Sequence, residues 1–400
     1  MSPDAQRILI AQGLRAATYG LGSVLLGATL DARGWSTTEV GLLLTAVVTG
    51  TALMSFLVGR FGDRLGRRRS YAWLFGGLGA AGAVLAFAPW PLALIVVGLT
   101  GTLSTDVIES GPFTSLEQPM LSATTSGHGR VRLFGRYNAV AAVAGSLGAL
   151  AAGLPDALRS IWSGAPADVR WFALFVPVGV IGFFVAGTLS NGVEAGRASG
   201  RAPLGPSRRR VRAMAMLFGV DSFGGGFVVQ SFIAFWFSSR LGASPATLGV
   251  IFFFVGLLQA GSFLVAPGIA RRFGLLPTMV VTHLPSNLLL AAIPLAPNLP
   301  IAVALLMARH ALSQMDVPTR QAYVMALVEP GERTAAAAYT NTARYLGRPF
   351  GPLLAGMSQR VTAGMPFFLA GGIKAIYDLS LWLSFRRVPP DEAQEPAIAE

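Results

Sequence analysis

The chain has no cysteine, so disulfides and thiolate metal sites are excluded. It is also poor in charge. Only 12% of its 400 residues are Asp, Glu, Lys or Arg, against about 25% in a soluble domain. That leaves too little polar surface to face water on every side, and a 53% hydrophobic fraction with a mean hydropathy of +0.58 points the same way. No metal-ligand cluster, Walker loop or nucleophile elbow is visible in the sequence. Enzymatic activity and ATP-driven chemistry therefore have no support, and neither a cofactor nor a metal is expected.

Apolar stretches of roughly 20 residues, enough to cross a bilayer, fill most of the chain. They lie near 8–30, 39–59, 71–89, 92–121, 134–154, 171–190, 213–238, 246–266, 277–296, 300–327, 334–357 and 366–385. Twelve crossings are expected, with charged residues interrupting the fourth and the tenth. A net charge of +12 and a pI of 11.1 would suit a nucleic-acid partner, but the placement of the arginines speaks against one. Arg60, Arg64, Arg67, Arg68 and Arg69 follow the second span; Arg130 and Arg132 follow the fourth. Arg208, Arg209 and Arg210 follow the sixth, Arg271 and Arg272 the eighth, and Arg386 and Arg387 the twelfth. The alternate loops are poorer in arginine. By the positive-inside rule both termini are cytoplasmic, and the basic charge is an orientation signal. The expected location is the cell inner membrane, with no cleavable leader because Asp4 and Arg7 precede the first span.

The two halves of the sequence repeat. Gly34-Trp35-Ser36 with Gly41 matches Gly242-Ala243-Ser244 with Gly249 at an offset of 208. Asn138, Gly148 and Gly153 match Asn341, Gly351 and Gly356 at an offset of 203. Ser36 and Glu39 also form a capping box for the second helix. The expected architecture is an all-α membrane protein of twelve transmembrane helices in two pseudo-symmetric six-helix bundles, residues 1–190 and 213–390. A Gly/Pro/Ser/Arg-rich cytoplasmic linker at 191–212 joins them, and a cytoplasmic tail occupies 391–400.

Between the second and third spans the chain reads Gly59-Arg60-Phe61-Gly62-Asp63-Arg64-Leu65-Gly66-Arg67-Arg68-Arg69. This resembles the G-x-x-x-D-R-x-G-R-R signature of the major facilitator superfamily (MFS), in the expected cytoplasmic loop. Gly59 and Gly66 would permit a tight turn and close helix approach. Asp63 would face a helix N-terminus, and Arg64, Arg67 and Arg68 would pair with acids or lipid headgroups. Arg271-Arg272-Phe273-Gly274 is a degenerate counterpart. In the eleventh span, Gly347-Arg348-Pro349-Phe350-Gly351-Pro352 resembles the family's G-x-x-x-G-P antiporter motif, which in the family belongs to the fifth helix. Here the fifth has Gly145, Gly148 and Gly153 without the proline. The resemblance implies a drug/proton-antiporter-like MFS carrier, with Gly351 and Pro352 joining the signature loop as gating elements.

Ionisable residues inside spans are costly and mark function. Asp106, Ser110 and Glu117 fall within about 40° of one another on the fourth helix. At the offset of 203 they match Arg309, Ser313 and Arg320 of the tenth. The resemblance places both stripes on the central cavity. Glu117 and Arg320 are then candidate gate partners across the halves, or else pair within their own halves. Asp106, Glu109, Asp221 and Asp316 are candidate proton carriers. Arg15, Tyr19, Gln230, Arg309, His310, Gln314, Asn341 and Arg344 are substrate-binding candidates; the arginines would hold an anion or neutralise the buried acids. Gly224, Gly225 and Gly226 suit either a deformable segment or close packing.

The leading functional expectation is a secondary transporter, working as a proton-coupled efflux carrier for a small organic molecule. The alternative is a carrier, exchanger or symporter of an organic anion bound by cavity arginines. Its partners would be the solute, protons and the bilayer, with no nucleic acid, and the chain would act as a monomer. Topology is directly testable. Reporters fused at Gly200 and after Glu400 should both report the cytoplasmic side, whereas opposite sides would eliminate the twelve-span arrangement.

Overall fold

The computed structural model describes the chain apart from residues 88–89, 105–106, 108–110, 125–127, 167–168, 195–203, 329–331 and 388–400; at a few helical positions, Asp63 among them, it describes the backbone alone. Among the described residues every regular element is helical. The first half contains α1 (Pro3–Ala32), α2 (Thr37–Leu65), α3 (Arg67–Phe87), α4 (Pro91–Leu99), α5 (Pro112–Ala123), α6 (His128–Leu150), α7 (Leu154–Ile161) and α8 (Phe175–Thr188). The second contains α9 (Arg208–Gly226), α10 (Gln230–Leu241), α11 (Pro245–Phe273), α12 (Leu275–Ala292), α13 (Leu299–Ser313), α14 (Asp316–Ala326), α15 (Arg333–Gly347), α16 (Phe350–Ser358) and α17 (Met365–Phe385). They make a twelve-helix membrane fold in which several spans are divided. The fourth is α4 with α5, the fifth α6 with α7, the seventh α9 with α10, the tenth α13 with α14, and the eleventh α15 with α16.

The divisions have local causes. Three glycines end α9, and Phe227 to Val229 interrupt the seventh span. Pro349 supplies no N–H to continue α15, so α16 starts afresh at Phe350. The tenth span stops at Ser313 and resumes at Asp316. Helix starts follow the expected chemistry. Ser36 and Glu39 complete a reciprocal capping box on α2, and Ser2 caps α1 ahead of Pro3.

The duplication is written in the backbone as well. Gly34 and Gly242 have φ of 69° and 65°, and Gly66 and Gly274 both have φ of 89°. Both pairs obey the offset of 208, and each glycine adopts a conformation that side-chain-bearing residues rarely take.

The chain forms two compact units that do not coincide with the sequence halves. Unit 1 holds Met1–Arg197, Val228–Leu257 and Pro352–Thr362; unit 2 holds Ala198–Phe227, Leu258–Gly351 and Ala363–Glu400. The reason lies in packing inside unit 1, where α10 and α16 of the second half seat on α1 and α2. A Cβ on Gly27 would lie 2.5 Å from the Ser231 carbonyl oxygen, and one on Gly356 would lie 2.2 Å from that of Thr37. Ser238 donates to Asp31 (2.8 Å), Gln230 to Ser23 (2.7 Å) and Thr37 to the Gly356 carbonyl (3.0 Å). Unit 2 is built on an apolar core of Val211, Met214, Phe218, Met279, Tyr323 and Leu381.

Glycine sets the helix spacing in unit 1. A Cβ on Gly148 would sit 1.9 Å from the Ala17 carbonyl oxygen, on backbone that cannot swing away, whereas Gly187 faces open space. Gly148→Ala should therefore destabilise by about 1–3 kcal/mol through overpacking, read as a lowered Tm in detergent. Gly187→Ala should leave Tm unchanged or slightly raised; equal effects at the two positions would contradict this packing.

Candidate functional site

Each unit encloses its own network of buried charge. In unit 1, Arg15 Nη2 donates to Glu117 Oε2 at 2.7 Å, and both side chains are almost fully buried. The Tyr71 and Tyr137 hydroxyls each donate to Glu117 at 2.6 Å. The Arg15 guanidinium lies over the Phe113 ring at 4.6 Å and near the Tyr19 ring at 5.6 Å, while the Tyr19 hydroxyl donates to the Thr102 carbonyl at 2.6 Å. Four helices, α1, α3, α5 and α6, meet at this one carboxylate. Removing one partner of a buried pair of this kind typically costs about 3–5 kcal/mol.

Glu117 thus pairs within unit 1, with Arg15, and Arg320 pairs within unit 2. Pairing within its own half, one of the two expectations, is thus present for both residues. Arg15 and Tyr19 are likewise engaged by protein groups. One turn before Arg15, Gln12 is 1% exposed, and neither of its amide atoms has a hydrogen-bond partner among the described residues. Asp106 and Glu109 lie outside the described residues.

The signature loop is held by a residue the sequence did not suggest. Gly66 turns the chain, and the N–H groups of Arg67 and Arg68 at the start of α3 donate to Glu194 at 2.7 and 3.2 Å. Arg68 also donates to Asn191 Oδ1 (2.7 Å) and to the Gly187 carbonyl (2.9 Å), and Arg67 to the Val193 carbonyl (3.3 Å). The carboxylate facing a helix N-terminus is therefore that of Glu194; the Asp63 side chain lies outside what is described. Gly59 has nothing within 4 Å of a Cβ, so close packing does not require glycine there. Arg64 is exposed. Glu332 plays the matching part in unit 2, accepting from the Gly205 N–H and, at 3.1 Å, the Ser207 N–H ahead of α9. The Ser207 hydroxyl and these N–H groups hold its carboxyl below the usual carboxylate range.

In unit 2 the centre is Asp221, buried on α9. Lys374 Nζ from α17 donates to its Oδ1, Arg320 Nη1 from α14 reaches its Oδ2 at 3.4 Å, and His283 Nε2 from α12 lies 3.8 Å from Oδ1. Arg320 also pairs with Asp316 at 3.1 Å and lies over the Phe218 ring at 5.5 Å. His283 Nδ1 meets Asp378 at 2.8 Å, and Asn287 donates to the other oxygen of Asp378 at 2.8 Å. Two of the expected proton carriers, Asp221 and Asp316, are thus brought together through Arg320. His283, Lys374 and Asp378 were missed because they lie on the ninth and twelfth spans, outside the expected cavity helices. A signal was present: Lys374 is the one lysine in the whole sequence, set in the middle of an apolar run.

Glycines fix the approach of α15 to α9. A Cβ on Gly347 would lie 2.3 Å from the Gly219 carbonyl oxygen, and one on Gly351 would lie 2.5 Å from Gly226 Cα. The triple glycine of the seventh span therefore serves both as a break and as a close contact. Of the remaining substrate candidates, Arg309 and His310 are buried side by side on α13, with Arg309 Nη1 2.9 Å from His310 Nε2. Gln314 is half-buried at the break of the tenth span, Arg344 is half-buried on α15, and Asn341 is exposed. Gln230 is half-buried and is used in unit 1 by Ser23. Pro352 carries the carbonyl that approaches Gly41 in unit 1.

This architecture recurs among known proteins. An uncharacterized membrane protein of Saccharomyces cerevisiae is 24% identical over 422 aligned residues, covering 96% of this chain and 94% of that protein. The crystal structure of the nucleoside transporter NupG matches with a TM-score of 0.73 at 15% identity, covering 96% of this chain and all of that one (100%). A bacterial homologue of the human lysosomal transporter Spinster, inward-facing and occupied, matches with a TM-score of 0.69 at 16% identity and 96% coverage of both chains. The human organic anion transporter MFSD10 matches with a TM-score of 0.62 at 18% identity, covering 95% of this chain and 100% of that one. Identities this low establish the fold alone. The sequence pattern of the Major Facilitator Superfamily extends over residues 8–352, and the chain belongs to that superfamily.

Proposed function

We propose that the chain is a proton-coupled secondary transporter of the cell inner membrane that exports a small organic molecule by alternating access, with Asp221 as the proton-exchange site. The observation that carries this reading is the sharing of one buried carboxylate by Lys374, Arg320 and His283, from three different helices. Such a carboxylate has two ways to be neutralised, by its cations or by a proton. Taking the proton releases Lys374 and loosens α17 from α9, so protonation is tied to helix position. Asp316 shares Arg320 and is the natural secondary acceptor.

Alternating access is supported by the seam inside unit 1. The ends of α10 and α16 meet α1 and α2 through glycine contacts and single hydrogen bonds such as Ser238 to Asp31. Each such bond contributes about 1 kcal/mol net, which is within reach of ligand binding. By the distribution of arginines, these ends lie on the non-cytoplasmic side. Export is favoured by the glycine-proline segment of the eleventh span, whose Gly347 and Gly351 ride on the helix that carries Asp221.

The test is flux in proteoliposomes with an imposed pH gradient, using whichever solute of a cationic, neutral and anionic panel is transported. Asp221→Asn should lose gradient-driven flux at least about tenfold while retaining solute counterflow, which needs no proton movement. Undiminished gradient-driven flux in this variant would remove Asp221 from coupling.

A further inference from the structure

Arg309 is the exception among the buried cations of unit 2. Arg320 and Lys374 both reach carboxylates. Arg309 is 9% exposed, yet among the described residues no carboxylate lies within ion-pairing distance of it. Among the described residues its side chain makes one hydrogen bond, from Nη1 to His310 Nε2 at 2.9 Å, and its Nε is buried without a partner. A guanidinium does not shed its charge when buried, so this site carries a positive charge that has no ion-pair partner among the described residues.

The surroundings are built to hold that charge in place. Donation from Arg309 requires His310 Nε2 to be unprotonated, so neutral His310 carries its proton on Nδ1; the Gln259 amide of α11 lies 2.9 Å from that atom and accepts its proton once the amide is turned to present Oε1 in place of Nε2. Ser262, one turn along α11, donates to the Ala311 carbonyl at 2.5 Å and locks α11 to α13 at this level. One turn beyond Arg309 on the same helix face, the Ser313 hydroxyl is also buried and unpartnered. The site therefore presents a guanidinium held at Nη1 by His310, with its Nε unpartnered, beside a hydroxyl that is unpartnered among the described residues.

We propose that Arg309 and Ser313, oriented by His310 and Gln259, bind a carboxylate or phosphate group of the transported solute, so that the substrate is an organic anion. The proposal deepens the transport reading and rests on it for the word transported. An isolated buried charge destabilises a fold, and an incoming anion supplies the missing partner with geometry suited to a forked contact. Asp221 acts on Arg309 from beyond ion-pairing distance and does not fill the role.

The test reads binding, not flux, and so can fail separately from the coupling assignment. Purified full-length protein is titrated with aromatic and aliphatic carboxylates, with phosphate monoesters and inorganic phosphate, and with amide and amine analogues of matched skeleton, while Tm is recorded. At least one organic anion should raise Tm in a saturable way, with its amide and amine counterparts inert. Arg309→Gln should shift the half-maximal concentration at least about tenfold upward, and Arg309→Lys, which keeps charge without the fork, should fall between. The basal Tm of Arg309→Gln should equal or exceed that of the wild type, because an unpaired buried charge has been removed. A structural arginine would instead lower it. The proposal is overturned if no organic anion stabilises the wild type, if Arg309→Gln responds like the wild type, or if only amines stabilise. A response to inorganic phosphate alone would overturn it too, since that marks a general anion site and not a solute site.

Discussion

A charge inside a membrane span must find a partner, and the architecture of this protein is organised by how that requirement is met. An ion stripped of water loses several kcal/mol of solvation, which only a close, well-oriented counter-charge and further hydrogen bonds restore. In unit 1 the requirement is met in full. Glu117 receives Arg15 and two tyrosine hydroxyls, and the pair draws four helices to a single point.

Unit 2 meets the same requirement differently. Asp221 is contested by three neighbours, Arg320 is divided between two acids, and His283 stands between Asp221 and Asp378. A carboxylate shared in this way is the feature on which the proposed exchange of a proton for ion pairs rests. Arg309, on α13, has no ion-pair partner among the described residues. The two halves of a duplicated fold thus pair their buried charges differently, although both descend from the same repeat, as the paired backbone angles of Gly66 and Gly274 record.

Much of this was legible in the sequence, for physical reasons. Span number follows from apolar length, the helix start at Ser36 from its capping box, and the repeat from glycines that no other residue can replace. The break in the tenth span was foreshadowed by the charges that interrupt its apolar run. The partners of the charges were not legible, because helix rank says which residues share a face but not which faces meet. Periodicity set Glu117 and Arg320 at equivalent positions, yet Glu117 found Arg15 on the first span and Arg320 found Asp221 on the seventh. Glu194 and Glu332 escaped notice because a loop carboxylate that caps a distant helix leaves no local pattern. Lys374 was the exception: its uniqueness in an arginine-rich chain was a compositional signal available from the start.

The central claim is that Asp221 alternates between its cations and a proton. Infrared difference spectroscopy of the purified protein across a pH titration observes that event directly, through the carbonyl stretch of a protonated carboxyl group. The account predicts a titrating carboxyl band in the wild type that is missing from Asp221→Asn. The same band at undiminished intensity in Asp221→Asn would contradict it.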